Sequence, residues 1–173
     1  MQDIIKTKLF ILRPLKKGDE PAIFKHVNNP KIADAVLEIP YPYKLKDAVK
    51  WVKDNLPEYK KKRPKKFNFG IVIGDQVVGA IGLTNITKHK AEIGYWLGEK
   101  FWGKGIMTQA ISLVTKYGQE KLGLVRIYGH AFPFNKASMR VLEKNGYQLE
   151  GILKKNVLKN KKFLDTHLFA KIK

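Results

Sequence analysis

Residues 67–98 carry the pattern that most constrains the fold of this chain. The segment FNFGIVIGDQVVGAIGLTNI is rich in β-branched and aromatic residues on both sides of Gly74-Asp75, which predicts two strands joined by a tight turn. The segment KAEIGYWLG predicts a third strand. Just after it, GIMTQAISLVTKYGQEKLG places apolar residues at the spacing of one helix face. Three successive strands and a long helix predict an α/β protein built around one central sheet.

The N-terminal third of the chain predicts three helices before this strand series. Asp19 is the expected cap of the first helix, and Asn28-Asn29-Pro30 ends it. A short second helix is expected to follow. Asp47 is the expected cap of a third helix from Ala48 to about Tyr59, which Pro57 kinks or ends because proline lacks the backbone N–H that a helix needs.

The remaining segments add strands and one more helix. KLFILRPL predicts a first strand that stops at Pro14, and LVRIYGHAF predicts another strand after the long helix. NKASMRVLEKNG predicts a short helix with Asn135 as its cap and Gly146 beyond its end. The last segment predicts two closing strands about a turn at Asn160. We therefore expect residues 1–173 to form one domain.

Composition limits the class of protein. The 173 residues are 44% hydrophobic and 28% charged, which is typical of a soluble globular domain. No apolar run approaches the roughly 20 residues of a membrane span, and Lys6 and Lys8 interrupt the N-terminal stretch that a signal peptide would need. Cysteine is absent, which excludes disulfides, cysteine-based metal sites and a thiol nucleophile. We expect a cytoplasmic protein without membrane contact.

The chain is strongly basic, with a formal net charge of +19. Such a surface attracts nucleic acid, ribosomes or phosphorylated ligands. The densest run is KKKRPKK, from Lys60 to Lys66. Two interpretations stay open for it: a solvated connector after a helix, which we favour, and a contact with nucleic acid or the ribosome.

Residues 98–105, GEKFWGKG, resemble the start of a nucleotide-triphosphatase loop. That loop continues with Ser or Thr, which holds a magnesium ion, whereas this chain has Gly105. A glycine turn that opens a helix still forms an anion site, because the first helical N–H groups and the helix dipole attract negative charge. Taken alone, the segment fits a tight strand-to-helix turn best, and a metal-free site for a phosphate-bearing ligand is the open alternative.

Two longer segments carry a resemblance to a known family. AEIGYWLGEKFWGKGIMTQA and, after it, VRIYGHAFPFNKASMRVLEKNGYQLEG resemble the GNAT superfamily of N-acetyltransferases, in family order and spacing. The branch with the closer likeness contains the Rim-type ribosomal-protein N-terminal (alanine/serine) acetyltransferases. The resemblance implies a mixed, mostly antiparallel central sheet flanked by helices, with splayed middle strands. It also implies acetyl-coenzyme A as co-substrate, a primary amine as acceptor and no metal.

The resemblance assigns the cofactor site residue by residue. The family's pyrophosphate loop aligns with Trp102, Gly105 and Met107, and Met107 departs from the family's Gly or Ala and is expected to crowd the loop. A backbone amide near Trp96 or Leu97 is expected to polarise the thioester carbonyl, whereas the side chains of Tyr95 and Trp96 are interpreted as packing. The predicted cofactor-binding residues are Trp96, Leu97, Trp102, Gly103, Lys104, Gly105, Ile106, Met107, Thr108, Asn135 and Ser138.

Three residues are predicted to carry the chemistry. Glu92, in an AEI context, is the candidate base, with His130 as its competitor and an edge glutamate as the alternative. The family's Asn–x–x–Ser pattern places Asn135 and Ser138 at a helix start, where the serine acts as acid. Other GNAT enzymes use a tyrosine seven positions after the Asn, and that position is Leu142 here. Without cysteine, direct transfer is favoured over an acyl-enzyme intermediate.

The acceptor is the least determined part of the prediction. An α-amine has a reference pKa of about 7.7 to 8.0, so neutralising it near neutral pH costs only about 1 kcal/mol, against about 4 kcal/mol for lysine. This favours a protein N-terminus, such as that of a ribosomal protein, with a possible ribosome contact. The alternatives are a polyamine or aminoglycoside acceptor, and a non-catalytic basic module that binds ribosomes or nucleic acid. Tyr41 and Tyr43 are the predicted acceptor-binding residues, with loop packing as the alternative, and we expect a monomer or homodimer.

Overall fold

The computed structural model describes residues 4–173, and eight strands within them join in one sheet. Their order across the sheet is β1-β2-β3-β4-β5-β6-β8-β7. All neighbours are antiparallel except β5 and β6, which are parallel. The strands are β1 Ile5–Lys6, β2 Ile11–Pro14, β3 Phe67–Ile73, β4 Gln76–Thr84, β5 Lys90–Leu97, β6 Arg126–Ala131, β7 Gln148–Lys159 and β8 Lys162–Ile172. This is the mixed, mostly antiparallel α/β sheet that the sequence predicts.

Within residues 4–173, five α-helices cover the two faces of this sheet. Tyr117 of α4 stacks on the α4 side against Phe67 and Phe69 of β3, and Asn55 of α3 reaches Asn68 from the opposite face. The helices are α1 Glu20–Val27, α2 Pro30–Ala35, α3 Leu45–Asn55, α4 Ile106–Lys121 and α5 Lys136–Lys144. None of the helices described between residues 4 and 173 has the length and apolarity required to cross a bilayer.

The first predicted strand is wrong in its extent. Within KLFILRPL, residues 8–15, only β2 is extended. A turn precedes β2 and lets it pair with β1, which lies before this segment. The Thr7 hydroxyl makes the turn, since Oγ1 accepts from the backbone N–H groups of Leu9 and Phe10 and donates to the Phe10 carbonyl. A hydroxyl that hydrogen-bonds the nearby backbone stabilises a turn in place of a strand. The prediction that this segment stops at Pro14 is confirmed.

Two helix starts differ from the prediction. Asp19 stands at the cap position of α1, but its carboxylate makes no cap bond there and pairs with Arg13 at 2.7 Å instead. The third helix begins at Leu45, three residues before the predicted start, because Asp47 acts from within the first turn by accepting from the Lys44 N–H at 2.8 Å. The helix ends at Asn55, short of Tyr59. An Asp or Glu stabilises a helix both at the cap position and within the first turn. The sequence pattern alone therefore does not identify the first helical residue.

The predicted splay of the middle strands is present between β5 and β6. Their parallel pairing covers only Lys90 to Glu92 against Arg126 to Tyr128. Beyond that point β5 continues to Leu97 while paired with β4, and β6 continues to Ala131 while paired with β8. The two strands therefore separate after Glu92 and leave an open gap in the sheet beside the second half of β5.

A buried polar network joins α3 to the sheet on the face opposite α4. Asn68 Nδ2 donates to Asn55 Oδ1 at 2.7 Å, and the fully buried Asn55 donates onward to the Trp51 carbonyl at 2.7 Å. The Asn68 side chain lies directly over Gly82 of β4, where a Cβ would come within 1.9 Å of Asn68 Oδ1. Glycine is required here because the Asn68 side chain, bonded to Asn55 of α3, occupies the space that a side chain at position 82 would need.

Candidate active site

The turn before α4 presents unsatisfied backbone N–H groups. Gly105 has φ of 74° and stands at the helix cap, and Gly103 has φ of 73°. The first helical bond runs from the Gln109 N–H to the Gly105 carbonyl at 3.0 Å. The amides of residues 106 to 108 precede that bond and have no partner within the helix. A Cβ at either glycine would meet open space, so this end of α4 is an accessible anion site without a metal.

Glu99 holds this turn against the N-terminal helices. Its carboxylate accepts from Asn29 Nδ2 at 2.7 Å and pairs with Lys31 at the start of α2. These two partners, Lys31 first, lower the pKa of Glu99. Two residues after Glu99, the ring of Phe101 packs edge-on against His26 of α1, with centroids 5.5 Å apart. No sequence pattern links residues 99 and 29, so this contact could not be predicted.

The side chains of the turn mostly contact the protein. Trp102 Nε1 donates to the Leu97 carbonyl at 2.6 Å, and Lys104 Nζ lies 5.7 Å from the centre of the Phe101 ring. Ile106 is buried, and Met107, which was expected to crowd the turn, is partly buried against the core. The backbone of the turn therefore remains the principal group that can hold a diphosphate.

The free edge of β5 faces the gap with a defined set of amides. The Gly98 N–H donates to the Val78 carbonyl of β4 at 2.8 Å. Since backbone groups alternate along a strand, the N–H of Trp96 also faces β4, and that of Leu97 faces the gap. The Leu97 carbonyl faces the gap too, where it accepts the Trp102 indole bond. Of the two predicted amides, Leu97 is the one positioned to meet a thioester.

Ser138 lies on the α4 side of this gap. Asn135 caps α5 by accepting from the Ser138 N–H at 3.0 Å, as predicted for its structural role. The Ser138 hydroxyl lies 2.8 Å from the Tyr95 hydroxyl. Burial raises the pKa of Tyr95 well above its ordinary value of 10.0, so its phenol is protonated at any working pH. Tyr95 can therefore donate to Ser138 Oγ and leave the serine proton free for another acceptor.

Tyr95 is the functional candidate that the sequence analysis set aside as packing. Its neighbour Trp96 does pack, with 8% of its surface exposed. Leu142, at the position where other family members carry a tyrosine, is buried in the core. The Tyr95 hydroxyl of β5 thus reaches the start of α5, in a chain that has no tyrosine at position 142. Only a three-dimensional contact between residues 43 positions apart reveals it.

The first turn of α4 and the end of α5 are joined by one side chain. Asn145 Nδ2 donates to the Thr108 carbonyl at 3.1 Å and to the Val141 carbonyl at 2.8 Å. Gly146 follows with φ of 76°, which confirms the predicted helix end. This bond sets the predicted diphosphate site and the Ser138 helix in one fixed relation.

Glu92 lies on the opposite face of β5 from Tyr95, because the two are three residues apart on a strand. It is the last residue paired with β6 before the gap opens, opposite Tyr128. Its carboxylate accepts from Asn85 Nδ2 at 3.0 Å. The pKa of Tyr128 is raised, first by burial and then by the charge of Glu92. The structure thus places the candidate base and the candidate acid on the two sides of one gap.

His130, the competing base, shares the Glu92 face. It stands two residues beyond Tyr128, and their rings meet edge-on at 5.9 Å. Its Nδ1 lies 3.3 Å from the Thr166 hydroxyl, which also accepts from Asn156 Nδ2 at 2.9 Å. His130 is therefore a hydrogen-bonded strand residue within a polar row that continues from Glu92 along the open side of the gap.

The two predicted acceptor-binding tyrosines differ in their surroundings. Tyr43 is buried in the core at 7% exposure, its backbone N–H donates to Asn28 Oδ1 at 3.0 Å, and burial raises its phenol pKa to about 12. Tyr41 has 58% of its surface exposed. The packing alternative accounts for Tyr43, and Tyr41 alone offers its ring to a ligand. Residues 4–173 contain no cluster of three or more His, Asp or Glu arranged to hold a metal ion.

Comparison with known proteins identifies the family of this chain. The acetyltransferase (GNAT) domain model matches residues 10–148. The uncharacterized N-acetyltransferase YoaA of Bacillus subtilis is 30% identical over 100% of this chain and 98% of its own. The ribosomal protein uS5-alanine N-acetyltransferase of Escherichia coli is 30% identical over 63% of this chain and 59% of its own.

A solved structure gives the same result for the whole fold. The ribosomal L7/L12 α-N-protein acetyltransferase RimL, in complex with coenzyme A, superposes with a TM-score of 0.87 at 26% identity, and 98% of each chain is covered. The open gap beside β5 and the free amides of α4 suit that ligand. The chain therefore belongs to the GNAT family and is an acetyl-coenzyme A-dependent N-acetyltransferase.

Proposed function

We propose that this acetyltransferase modifies the N-terminal α-amine of a protein, and that the protein is a component of the ribosome in the cytoplasm. The relatives named for ribosomal-protein acetylation support this choice. So does the chemistry of the acceptor, because an α-amine loses its proton about two pKa units more readily than lysine. A net charge of +19 opposes the polycationic acceptors, polyamines and aminoglycosides.

The observation that carries the proposal is the placement of Glu92 and Ser138 on opposite faces of β5 at the start of the gap. Acetyl-coenzyme A supplies the thioester carbonyl that the amine attacks, with loss of the thiolate. In the proposed pose, the amides of residues 106 to 108 hold the diphosphate and the Leu97 N–H meets the thioester oxygen. An amine that approaches from the Glu92 side would then face a leaving sulfur on the Ser138 side.

The side chains then divide the proton transfers. Glu92 accepts the proton that the amine loses, directly or through one water. The Ser138 hydroxyl supplies the proton that the leaving sulfur takes. Tyr95 donates to Ser138 Oγ and stabilises the charge that develops on that oxygen, and solvent restores the serine proton. No covalent acetyl-enzyme is needed, because Glu92 and Ser138 both serve a single direct attack of the amine on the thioester.

A matched pair of peptides tests the acceptor. Both have the same neutral sequence without lysine, and one carries a formyl group on its N-terminus. We expect thiol release from acetyl-coenzyme A with the free peptide and none above background with the blocked one. Turnover with spermine or an aminoglycoside, in the absence of turnover with the free peptide, would contradict the proposal. Binding of coenzyme A without transfer to any amine would favour the non-catalytic alternative.

A further inference from the structure

The basic run from Lys60 to Lys66 is bonded to the rest of the protein at two points. Lys61 pairs with Glu58, and the second oxygen of that carboxylate accepts from the Lys65 N–H at 2.9 Å. The Lys65 carbonyl in turn accepts from the Ile86 N–H at 3.0 Å. The run is therefore held at both the α3 side and the β4–β5 loop, with its cationic side chains directed to solvent.

Three basic segments meet at this end of the sheet. The loop after β4 contributes the segment KHK, and its His89 carbonyl accepts from the Val125 and Arg126 N–H groups at 2.8 and 3.0 Å. The Val125 carbonyl accepts from the Lys173 N–H at 2.8 Å, which adds the C-terminal lysine. We name this surface the basic end, formed by Lys60, Lys62, Arg63, Lys65, Lys66, Lys88, Lys90 and Lys173.

The charge of the basic end is not neutralised locally. None of its eight cations forms an ion pair within residues 4–173. Three acidic side chains around it already have basic partners: Glu58 pairs with Lys61, Glu150 with Arg126, and Asp54 with Lys50. A fourth, Glu92, accepts from the Asn85 side chain. A concentrated positive field therefore remains, and it has to be met by ions or by a polyanion.

The apolar content of the surface decides between partner classes. Residues 58–66 and 84–90 expose no large hydrophobic side chain, and Val125 and Ile172 flank them only at one side. Stable protein–protein interfaces have an apolar, often aromatic centre with charges at the rim. A surface with cations at its centre suits instead the regular negative charge of a phosphate backbone.

We propose that the basic end binds the phosphate backbone of RNA. It lies at the Lys90 end of β5, roughly 23 Å along the strand from Leu97. The choice of RNA over DNA rests on the proposed function, because a ribosomal protein is surrounded by RNA. The surface would anchor the enzyme on the particle while the separate acetyl-transfer site takes the protein N-terminus.

Two triple variants of the full-length protein test this assignment. Lys62→Gln, Arg63→Gln and Lys88→Gln remove three charges from the basic end. Lys8→Gln, Lys25→Gln and Lys46→Gln remove three exposed charges from elsewhere on the surface. Fluorescence anisotropy with a labelled short RNA hairpin is measured over a series of salt concentrations for both variants and the unaltered protein.

The expected loss follows from counterion release. Three phosphate contacts change the slope of log affinity against log salt by about 2 and affinity at physiological salt by roughly 10- to 50-fold. We expect this loss for the basic-end variant and less than about threefold for the control variant. Equal losses in both variants would show that the charge acts only as a general field, and would overturn the proposal.

Further arms separate this inference from the proposed function. A DNA duplex bound as tightly as the RNA, or polyglutamate bound with the same loss in the basic-end variant, would overturn the choice of RNA. Turnover with the short neutral peptide is measured on the same samples and should be unchanged in the basic-end variant. Absence of peptide turnover in the unaltered protein would contradict the proposed function and leave the RNA result standing.

Discussion

The hydroxyl pair of Tyr95 and Ser138 allows the proposed chemistry to be tested with one atom. Tyr95→Phe removes the oxygen that lies 2.8 Å from Ser138 Oγ and leaves the ring in place. A neutral hydrogen bond contributes about 0.5 to 1.5 kcal/mol. If that bond stabilises the serine oxygen when the sulfur takes its proton, the turnover number should fall by roughly 2- to 13-fold. Affinity for acetyl-coenzyme A should change little.

A double-mutant cycle distinguishes this role from a general loss of stability. Ser138→Ala alone should lower turnover by on the order of 10²-fold or somewhat less, because water substitutes for it. In that background Tyr95→Phe should have less than about a twofold effect, since the oxygen it serves is gone. Turnover is followed by thiol release at saturating acetyl-coenzyme A and peptide.

Tyr147→Phe is the matched control for this cycle. The Tyr147 hydroxyl lies 2.7 Å from the Thr115 hydroxyl in the core, so its loss removes a hydroxyl pair of the same kind away from the gap. Both tyrosine variants should lose about 1 kcal/mol of unfolding free energy. Only Tyr95→Phe should lower turnover. Additive effects of the Tyr95 and Ser138 substitutions, or equal turnover losses in the two tyrosine variants, would refute the reasoning.

Three further predictions concern the diphosphate site, the packing of the sheet and the pH dependence of stability. Gly105→Ala should cost about 1 to 2 kcal/mol because an alanine is strained at φ of 74°, and should weaken chelator-insensitive binding of acetyl-coenzyme A in calorimetry. Gly82→Ala should lower unfolding free energy by about 3 kcal/mol in urea, since its Cβ would lie 1.9 Å from Asn68 Oδ1, whereas Gly151→Ala, with open space, should be nearly neutral. The pKa of His26 is lowered, chiefly by burial, so the unfolded chain takes up its proton first. Stability should therefore fall as the pH drops below about 6.5, and His26→Gln should flatten this part of the thermal-melt profile.

Much of the fold was predictable from local patterns. The Gly74 turn, the long helix from Ile106, the Asn135 cap and the final hairpin all depend on residues close in sequence. The predicted boundaries are wrong where a side chain hydrogen-bonds a backbone group two or three residues away. Thr7 turns the first strand, and Asp47 starts its helix from inside the first turn. Both residues have turn or cap propensities that fit more than one position.

The sequence predicted the part of the candidate site that consists of backbone amides. It did not predict the contacts between side chains that are distant in sequence. The glycines before α4 indicate a tight turn because glycine readily adopts positive φ, and such a turn leaves the first amides of the helix free. The contacts of Glu99 with Asn29 and of Tyr95 with Ser138 join residues about 70 and 43 positions apart, and no spacing rule reports them. The predicted roles of Glu92 and Ser138 remain predictions that the variants above test.

Acetylation by the full-length enzyme on intact ribosomal proteins tests the central claim most directly. Ribosomal particles are incubated with the enzyme and isotope-labelled acetyl-coenzyme A, and tandem mass spectrometry locates the label. We expect one labelled acetyl group on the N-terminal α-amine of a ribosomal protein, with its lysine side chains unlabelled. Label confined to lysine side chains, or found only on added small amines, would contradict it.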